Sequence, residues 1–563
     1  MLAVGTLVPA AHAQQSTGKT VVLGFSQEPD TFVAFESGLY VTQVAANAIY
    51  SYLTYYDDVM QPYADLATQV PTLENGGAVM VGEGADQHLE TTFKIRQDAT
   101  WSDGTPVTAD DVVWTYKVSL NPEWGAPAGN DLELKYSDVV KVDSHTVVFK
   151  MMSENQAHAA GMTDQKGPIV HPFYVFGLDF NTIYPAHRLN SLVDFDPQNS
   201  PKVRDLHSSI YSRSPIGSGP YTLESWDPGV QMVLKARSDY YRGRPPIDTI
   251  VIRGFEASKE TLLAQIQAGD IHTIGTETLD VADVDAINAI PGVKAYVRAG
   301  TTIEHIDLNV ENPILADKNV RKAMIYGIDR QELVNRVLSG QSAIAHSLIP
   351  PISPLFNKDT PQYEYNPDKA KQLLDDAGWA VGSDGIRAKS GQRLSLKYQS
   401  TSAAVRLKTM PLVKDQLARV GIEVNIEQMP AQTYFGQTGP LRRGTLDMAE
   451  YATVGSLDSG VDVITLYGSK WVPTEANNFA GGNYPRWKNQ SADQLINTQA
   501  NTLNTSNRKA SMDALQLLLA DELPTIPLYF RPNVSAASNR LANFKPEFAS
   551  NGYTWNVWEW DLR

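Results

Sequence analysis

Trp101-Ser102-Asp103-Gly104-Thr105-Pro106-Val107-Thr108-Ala109-Asp110-Asp111-Val112-Val113 is the stretch on which the reading of this chain turns. Asp103-Gly104 is a turn dipeptide, and Pro106 stiffens the exit from it. Thr108 has the side chain of a helix N-cap, and Asp111 stands three residues on, where a capping box places its acid. Acidic residues in that first turn also suit the helix dipole. Local physics thus accounts for a tight turn feeding a capped helix, and for nothing catalytic.

Leu2 to Ala11 is apolar and small, and Ala11-His12-Ala13 is an A-x-A cleavage pattern before Gln14. Residues 1–13 read as the remnant of a signal peptide whose basic start is missing, since no Lys or Arg precedes Lys19. The expected mature start is Gln14. The alternative is a disordered apolar terminus. With 0 cysteines the chain can form no disulfide, thiolate metal site or thiol nucleophile. It also lacks the cysteine that would carry a lipid anchor, so the expected location is the periplasm, secreted and untethered. No other segment approaches the roughly 20 apolar residues that span a bilayer. A length of 563 residues exceeds one ordinary core, so two or three domains are expected. The net charge of −16 argues against nucleic acid or an anionic membrane as partner.

Strands are expected at Thr20–Phe25, Thr91–Ile95, Thr146–Lys150, Tyr221–Trp226, Val230–Ala236 and Thr249–Gly254. A helix with Val41, Val44, Ala45, Ala48 and Ile49 on one face is expected over Tyr40–Leu53. Glu74–Gly84 reads as a surface loop. The middle third is richer in helices: Thr261–Ala268, Asn319–Gly327, a second capping box at Asp329 and Glu332, and Asn366-Pro367 opening a helix that stops at Gly378. Leu412–Val420 forms another helical face, followed by strand Ile422–Gln428. A last helix over Ser506–Leu523 leads into strand Thr525–Phe530. Alternating helices and strands indicate an α/β protein.

Several segments, in order, carry a resemblance. They are Glu28-Pro29-Asp30, the Trp101–Val113 stretch, Gly217-Ser218-Gly219-Pro220-Tyr221 with Asp239-Tyr240-Tyr241, and Asp307-Leu308-Asn309 with Val320-Arg321-Lys322-Ala323. Asn366 to Trp379, Leu417 to Val424 and Leu523-Pro524-Thr525-Ile526-Pro527-Leu528 follow. Together they resemble bacterial extracellular solute-binding proteins of family 5, which serve ABC importers of peptides, nickel complexes and related solutes. The resemblance implies an α/β fold: a two-lobed periplasmic-binding-protein clamp with a small α/β domain inserted in the first lobe. It places lobe I at 14–50, 185–270 and 525–563, the inserted domain at 51–184 and lobe III at 271–524. It implies a monomer that binds a small solute and hands it to a permease heterodimer with cytoplasmic ATPases, without a cofactor and without catalysis.

The resemblance also nominates a site. Phe35, Glu36 and Tyr40 would face the cleft from lobe I, and Trp124 would contribute an aromatic. The polar, Gly-rich loop with Asn477, Asn478, Asn483 and Tyr484 would face it from lobe III. Peptide-binding members carry an acid that receives the ligand's α-ammonium. The matching stretch here is Asp447 to Ser459, and the acid's place falls on Gly455. Either Glu450 or Asp458 replaces it, or the solute is not a free peptide, since an enclosed ammonium without a partner costs several kcal/mol. Opine-like and sugar-like solutes, or an N-blocked peptide, would escape that cost. His158 and His171 are not at metal-ligand spacing, and no GxSxG, HExxH or P-loop string occurs. A secreted hydrolase of peptides or glycans, and a sensing protein that presents its closed form to a receptor, are the rival functions.

Overall fold

The computed structural model describes residues 18–33, 39–59, 61–121, 123, 135–160, 168–169, 182–193, 196–206, 208–255, 257–276, 278–436, 438–455, 458–546 and 552–563. The signal-peptide remnant lies outside the described residues. One ten-stranded mixed sheet runs through both lobes. Its strands in chain order are β1 Thr20–Gly24, β2 Tyr221–Asp227, β3 Gln231–Ala236, β4 Thr249–Arg253, β5 Thr273–Ile274, β6 Val293–Leu308, β7 Ser395–Thr401, β8 Glu423–Met429, β9 Met448–Val454 and β10 Thr525–Ser538. Across the sheet they lie in the order β8-β7-β9-β6-β10-β5-β1-β4-β3-β2.

Two strands are far longer than the rest. β6 has 16 residues and β10 has 14, and they pair antiparallel along nearly their whole length. Their first-lobe halves pair Val293 with Ser538 through Ala299 with Pro532. Their second-lobe halves pair Ile303 with Phe530 and Glu304 with Tyr529, pass over Leu528 at a second irregularity, and resume with His305 opposite Pro527 through Asp307 opposite Thr525. Between these halves Gly300, Thr301 and Thr302 stand opposite Arg531 alone, so the ladder is bulged at the join. β10 pairs with β5 only in its first-lobe half, and β6 pairs with β9 only in its second. Two large buried apolar clusters line the sheet. One joins Val21, Leu23, Ile250, Ile252 and Trp560, and the other joins Ile306, Val320, Leu396, Val413 and Ile526. The second runs past the bulge to take in Ile274, Val293, Ala295 and Ala536 as well.

Residues between the first two visits to the main sheet carry a four-stranded sheet of their own. Its spatial order is Ala78–Val81, His88–Lys94, Thr146–Met151, Tyr136–Asp143, and its core includes Phe93, Trp101, Val112 and Phe149. Asp111 organises it. Its carboxylate accepts from Thr108 N at 2.8 Å, closing the capping box of helix Ala109–Ser119. It also accepts from Ala186 N at 2.8 Å, where helix Ala186–Val193 begins, and from Trp101 Nε1 at 3.2 Å. Burial raises its pKa above the usual carboxylate value against these three donors.

The buried guanidinium of Arg237 joins this region to the first lobe. It donates to Thr100 Oγ1, to the carbonyls of Trp101, Gly217 and Gly219, and to Asp239. Ser102 N donates to Gly217 O at 2.9 Å. A Cβ on Gly217 would lie 2.0 Å from the Ile49 carbonyl oxygen, so no larger residue fits there. The turn motif and the Gly217–Tyr221 motif are thus two sides of one junction.

Several expectations shift. The first helix is Tyr40–Ile49 and not Tyr40–Leu53, because the Ile49 carbonyl accepts from Gly219 N at 2.7 Å. Part of the Glu74–Gly84 loop is the edge strand Ala78–Val81. At the second capping box only half forms: Asp329 accepts from Glu332 N, while the Glu332 carboxylate turns to Gln416 and Arg336. The Leu412–Val420 helix begins at Ala404 and carries Pro411 inside it. Strand Thr525–Phe530 continues to Ser538. β6 has no counterpart among the expected strands.

Asp111→Ala is expected to destabilise the protein by about 2–4 kcal/mol, since one change orphans three buried donors. Urea unfolding followed by circular dichroism measures this, and a loss under about 0.5 kcal/mol would contradict the assigned role.

Candidate functional site

Strand direction locates the crevice. β1 is parallel to β4 and β5, and β7 is parallel to β8 and β9. β5 runs antiparallel to the first-lobe half of β10, so the carboxyl ends of β1, β4 and β5 point toward the bulge. β9 runs antiparallel to β6, with Val454 opposite Thr302, so the carboxyl ends of β7, β8 and β9 point toward the bulge from the other side. Ligands of α/β sheets bind outside the carboxyl ends of the strands. Here two such ends face each other across one bulged strand pair.

From the first lobe, the segment after β1 leads to Tyr40. Its first half is pinned by Phe32 N donating to Ser212 O, by the Tyr50 hydroxyl donating to Phe32 O, and by the edge of Phe32 against Trp226. Tyr40 begins its helix packed against the first-lobe core, and its hydroxyl is buried without a protein partner among the described residues. Phe35, Glu36 and Trp124 lie outside the described residues.

From the second lobe, β9 ends at Val454, which is exposed, and Gly455 follows. Gly455 N donates to Thr301 O at 3.3 Å, and a Cβ on Gly455 would stand 2.8 Å from that same oxygen. The position matched to the ammonium-binding acid is therefore closed by backbone of the bulge. An aspartate there would have to displace Thr301.

Neither candidate substitute is free to serve. Asp458 caps helix Ser459–Tyr467 by accepting from Gly460 N at 2.9 Å, and it pairs bidentately with buried Arg508 at 2.7 and 2.8 Å. Glu450 is fully buried on β9 and accepts from the Tyr398 hydroxyl. Beside it Glu304 of β6 is held between Arg406, at 2.7 Å, and Arg531, at 2.6 and 2.9 Å. Burial first, and then the charge of Glu304, pushes the Glu450 carboxyl well above the usual range. Both acids belong to the framework of the second lobe.

The opposite face of the same strands carries an aromatic wall that the sequence reading missed. Tyr451 lies across from His305, ring against ring at 4.4 Å, and its hydroxyl donates to Asp307. Phe435 and Tyr484 pack edge-on to Tyr451 at 6.1 and 5.8 Å. Phe435 is exposed, and Tyr484 is half-buried. Of the nominated loop, Tyr484 joins this wall. Asn477 instead caps its own turn, bonding Thr474 N and Val472 O, and Asn478 adopts a left-handed φ of 54°. Asn483 is buried and tied to Gly468 and Trp487. Thus Gly455 lies at the end of β9 and Tyr484 beside Tyr451 of the same strand, Tyr40 packs on the first-lobe core, and Glu450, Asp458 and Asn483 serve the scaffold.

The family model for bacterial extracellular solute-binding proteins, family 5, matches residues 61–473. The chain belongs to this family. A family 5 relative, the oligopeptide-binding protein AppA of Bacillus subtilis, is 28% identical over 549 residues, which is 95% of this chain and 91% of that protein. The AppA structure in complex with a nonapeptide superposes with a TM-score of 0.66 and 26% identity, covering 97% of this chain and 99% of that one. An oligopeptide-binding protein from Thermus thermophilus complexed with a pentapeptide gives 0.64 and 25%, with 96% of both chains covered. HbpA2 of Haemophilus parasuis, at 20% identity, shares the fold with a TM-score of 0.78, covering 97% of this chain and all of that one. Family 5 members are extracellular by description, and among the described residues no helix is long and apolar enough to cross a membrane.

Two outcomes follow for the acids. Asp458→Asn is expected to cost about 3–5 kcal/mol of stability, because Arg508 stays buried without its partner. Its effect on solute affinity at a temperature where the variant is folded should be small, which calorimetry checks. Glu450 has a folded pKa above its unfolded value near 4.5. Its protonated form is therefore favoured by folding, and that contribution is fully present at low pH and lost as pH rises. Glu450→Gln should melt close to wild type near pH 4 and above it at pH 8, with the gap widening between. Parallel melting curves at both pH values would contradict the assignment.

Proposed function

We propose that the chain is the solute-binding component of an ABC importer that captures oligopeptides between its two lobes. The observation that carries this reading is the match to peptide-binding relatives along almost the whole chain, both lobes and inserted domain together. Opine-like and sugar-like solutes gain no support from these relatives. The protein performs no reaction; it binds, closes and delivers. Its partners are a permease heterodimer and the ATPases attached to it, and it works as a monomer in the periplasm.

The lobes divide at the bulge. Lobe I then consists of 14–50, 185 to about 299, and 531–563, with 51–184 as the inserted domain. We place the boundaries there, and not at 271 and 525, on the support that β5 pairs with β1 and with the part of β10 beyond the bulge. Closure is a hinge motion that a peptide drives by binding the closed state better than the open one.

Recognition differs from anchoring by the peptide's first residue. With Gly455 packed on Thr301 and Asp458 committed to Arg508, neither position offers a carboxylate to an α-ammonium. Tyr40, Phe435, Tyr451 and Tyr484 are the proposed contacts among the described residues, and Phe35, Glu36 and Trp124 remain candidates from the resemblance. Aromatic walls suit side chains of varied shape, and a longer peptide offers more main chain to hold.

Calorimetry with free and N-acetylated peptides of two to nine residues tests this reading. Oligopeptides should bind, with acetylation changing the dissociation constant less than about tenfold, or 1.4 kcal/mol. Free dipeptides should bind weakly. Saturating peptide should compact the protein in small-angle scattering, shift the fluorescence of some of its 10 Trp, and at about 100 times its dissociation constant add roughly 2.7 kcal/mol of stability. No binding across the peptide panel would overturn the proposal, and binding without compaction would overturn the clamp.

A further inference from the structure

Six arginines are buried among the described residues: Arg237, Arg321, Arg330, Arg387, Arg406 and Arg508. Five of them meet a carboxylate, respectively Asp239, Glu522, Asp375, Glu304 and Asp458. Among the described residues Arg330 meets none. Its Nη1 donates to the carbonyls of Ala345 and Pro527 and its Nη2 to that of Tyr363. A guanidinium carries five N–H donors, so these three bonds leave Nε and one Nη2 hydrogen without an acceptor among the described residues. Burial, with no acid to oppose it, pulls the Arg330 pKa down to about 10, so the group is still a cation at neutral pH. A buried cation ordinarily has a counter-charge, because carbonyl dipoles recover only part of its lost hydration.

Arg330 lines a cavity of about 30 Å³ inside the second lobe. His346 lines it too, and its Nδ1 is buried with no protein partner among the described residues. Tyr467 and Thr525 also line it, but their hydroxyls bond each other and Thr525 donates to Asp307 at 2.7 Å, and Ile325, Leu348, Val463 and Leu519 make much of the rest apolar. A water needs about 10–15 Å³ by the same measure, so the space suits one small ion or a pair of waters. Burial, and then the nearby Arg330 charge, hold His346 down to about 4. The imidazole is therefore neutral at pH 7 and can present an N–H to an anion without adding a second charge.

We propose that this cavity is a site for a small monovalent anion, a halide or an ion of formate size, held between the Arg330 guanidinium and His346. The ion is a structural ligand and not cargo. It sits where Arg330 at the start of helix Arg330–Val337 grips Pro527 at the root of β10, so it stabilises the second-lobe end of the hinge strand. The inference is independent of which solute the crevice takes.

Thermal melting of the full chain in sodium chloride, sodium formate and sodium gluconate at matched ionic strength is the first test. The melting temperature should rise and saturate with chloride or formate relative to gluconate, a larger anion. Response to chloride alone identifies a halide site, and an equal response to formate identifies a general small-anion site. His346→Ala keeps Arg330 and its three carbonyl bonds, so it should fold and lose most of the anion-dependent shift. By NMR the His346 pKa should move up in chloride, because an adjacent negative charge favours the imidazolium. Crystals grown in sodium bromide should show anomalous density between Arg330 and His346. Identical melting in chloride and gluconate, an anion response unchanged in His346→Ala, or bromide at other positions only would overturn the proposal.

Discussion

The antiparallel pairing of β6 with β10 is the constraint on which the rest of the molecule depends. It is a ladder common to both ends of the main sheet, interrupted at the bulge, and it carries β5 on one half and β9 on the other. A hydrogen-bonded pair resists shear along its length but can twist at an irregularity. The three-against-one bulge at Gly300–Thr302 places that irregularity between the lobes. Because strand direction reverses across the pair, the carboxyl ends of both half-sheets are brought to the same place. The crevice is thus a consequence of topology before any side chain is considered.

Buried charge near the bulge works in the same direction. Glu304 on β6 binds Arg531 on β10 and Arg406 on the helix that covers the second-lobe sheet. A pair of this kind gives little net stability over apolar packing, but breaking it is expensive. It therefore fixes the register of the long strands on the second-lobe side of the bulge, where a one-residue slip would bury the wrong face. Burial, and then the charge of Glu304, raises the Glu450 carboxyl well above the usual range, which disfavours a second negative charge in the cluster. The acids that looked available for a ligand in the sequence are the acids this framework requires.

Much of the fold was legible. The turn at Asp103-Gly104, the cap at Thr108 with Asp111, and the Asn366-Pro367 helix start are local devices, and they read correctly because their partners lie within a few residues. β6 was not legible, since Glu304, His305 and Asp307 interrupt its apolar pattern and are buried only through partners far along the chain. The same cause limited the site. Asp458 reads as a possible ligand acid until Arg508 is seen against it, and Gly455 reads as open space until Thr301 is seen filling it. Tyr451 and Phe435 gave no signal beyond being aromatic, because their neighbours come from separate elements: His305 of β6 packs on Tyr451, and Phe435 reaches it from the helix Ala431–Phe435.

Lys19, just before β1, and Asp561, near the end of the chain, form an ion pair. The start of β1 and the segment around Trp560 also share one apolar cluster, so these two parts of the chain lie side by side, while β6 and β10 both run on past the bulge. Fluorescent proteins fused at the two ends would move together and be blind to closure. A sensor built on this scaffold needs one chromophore grafted into a second-lobe surface turn, such as Gly382–Gly385, or a circular permutation that joins the old ends and opens the chain there.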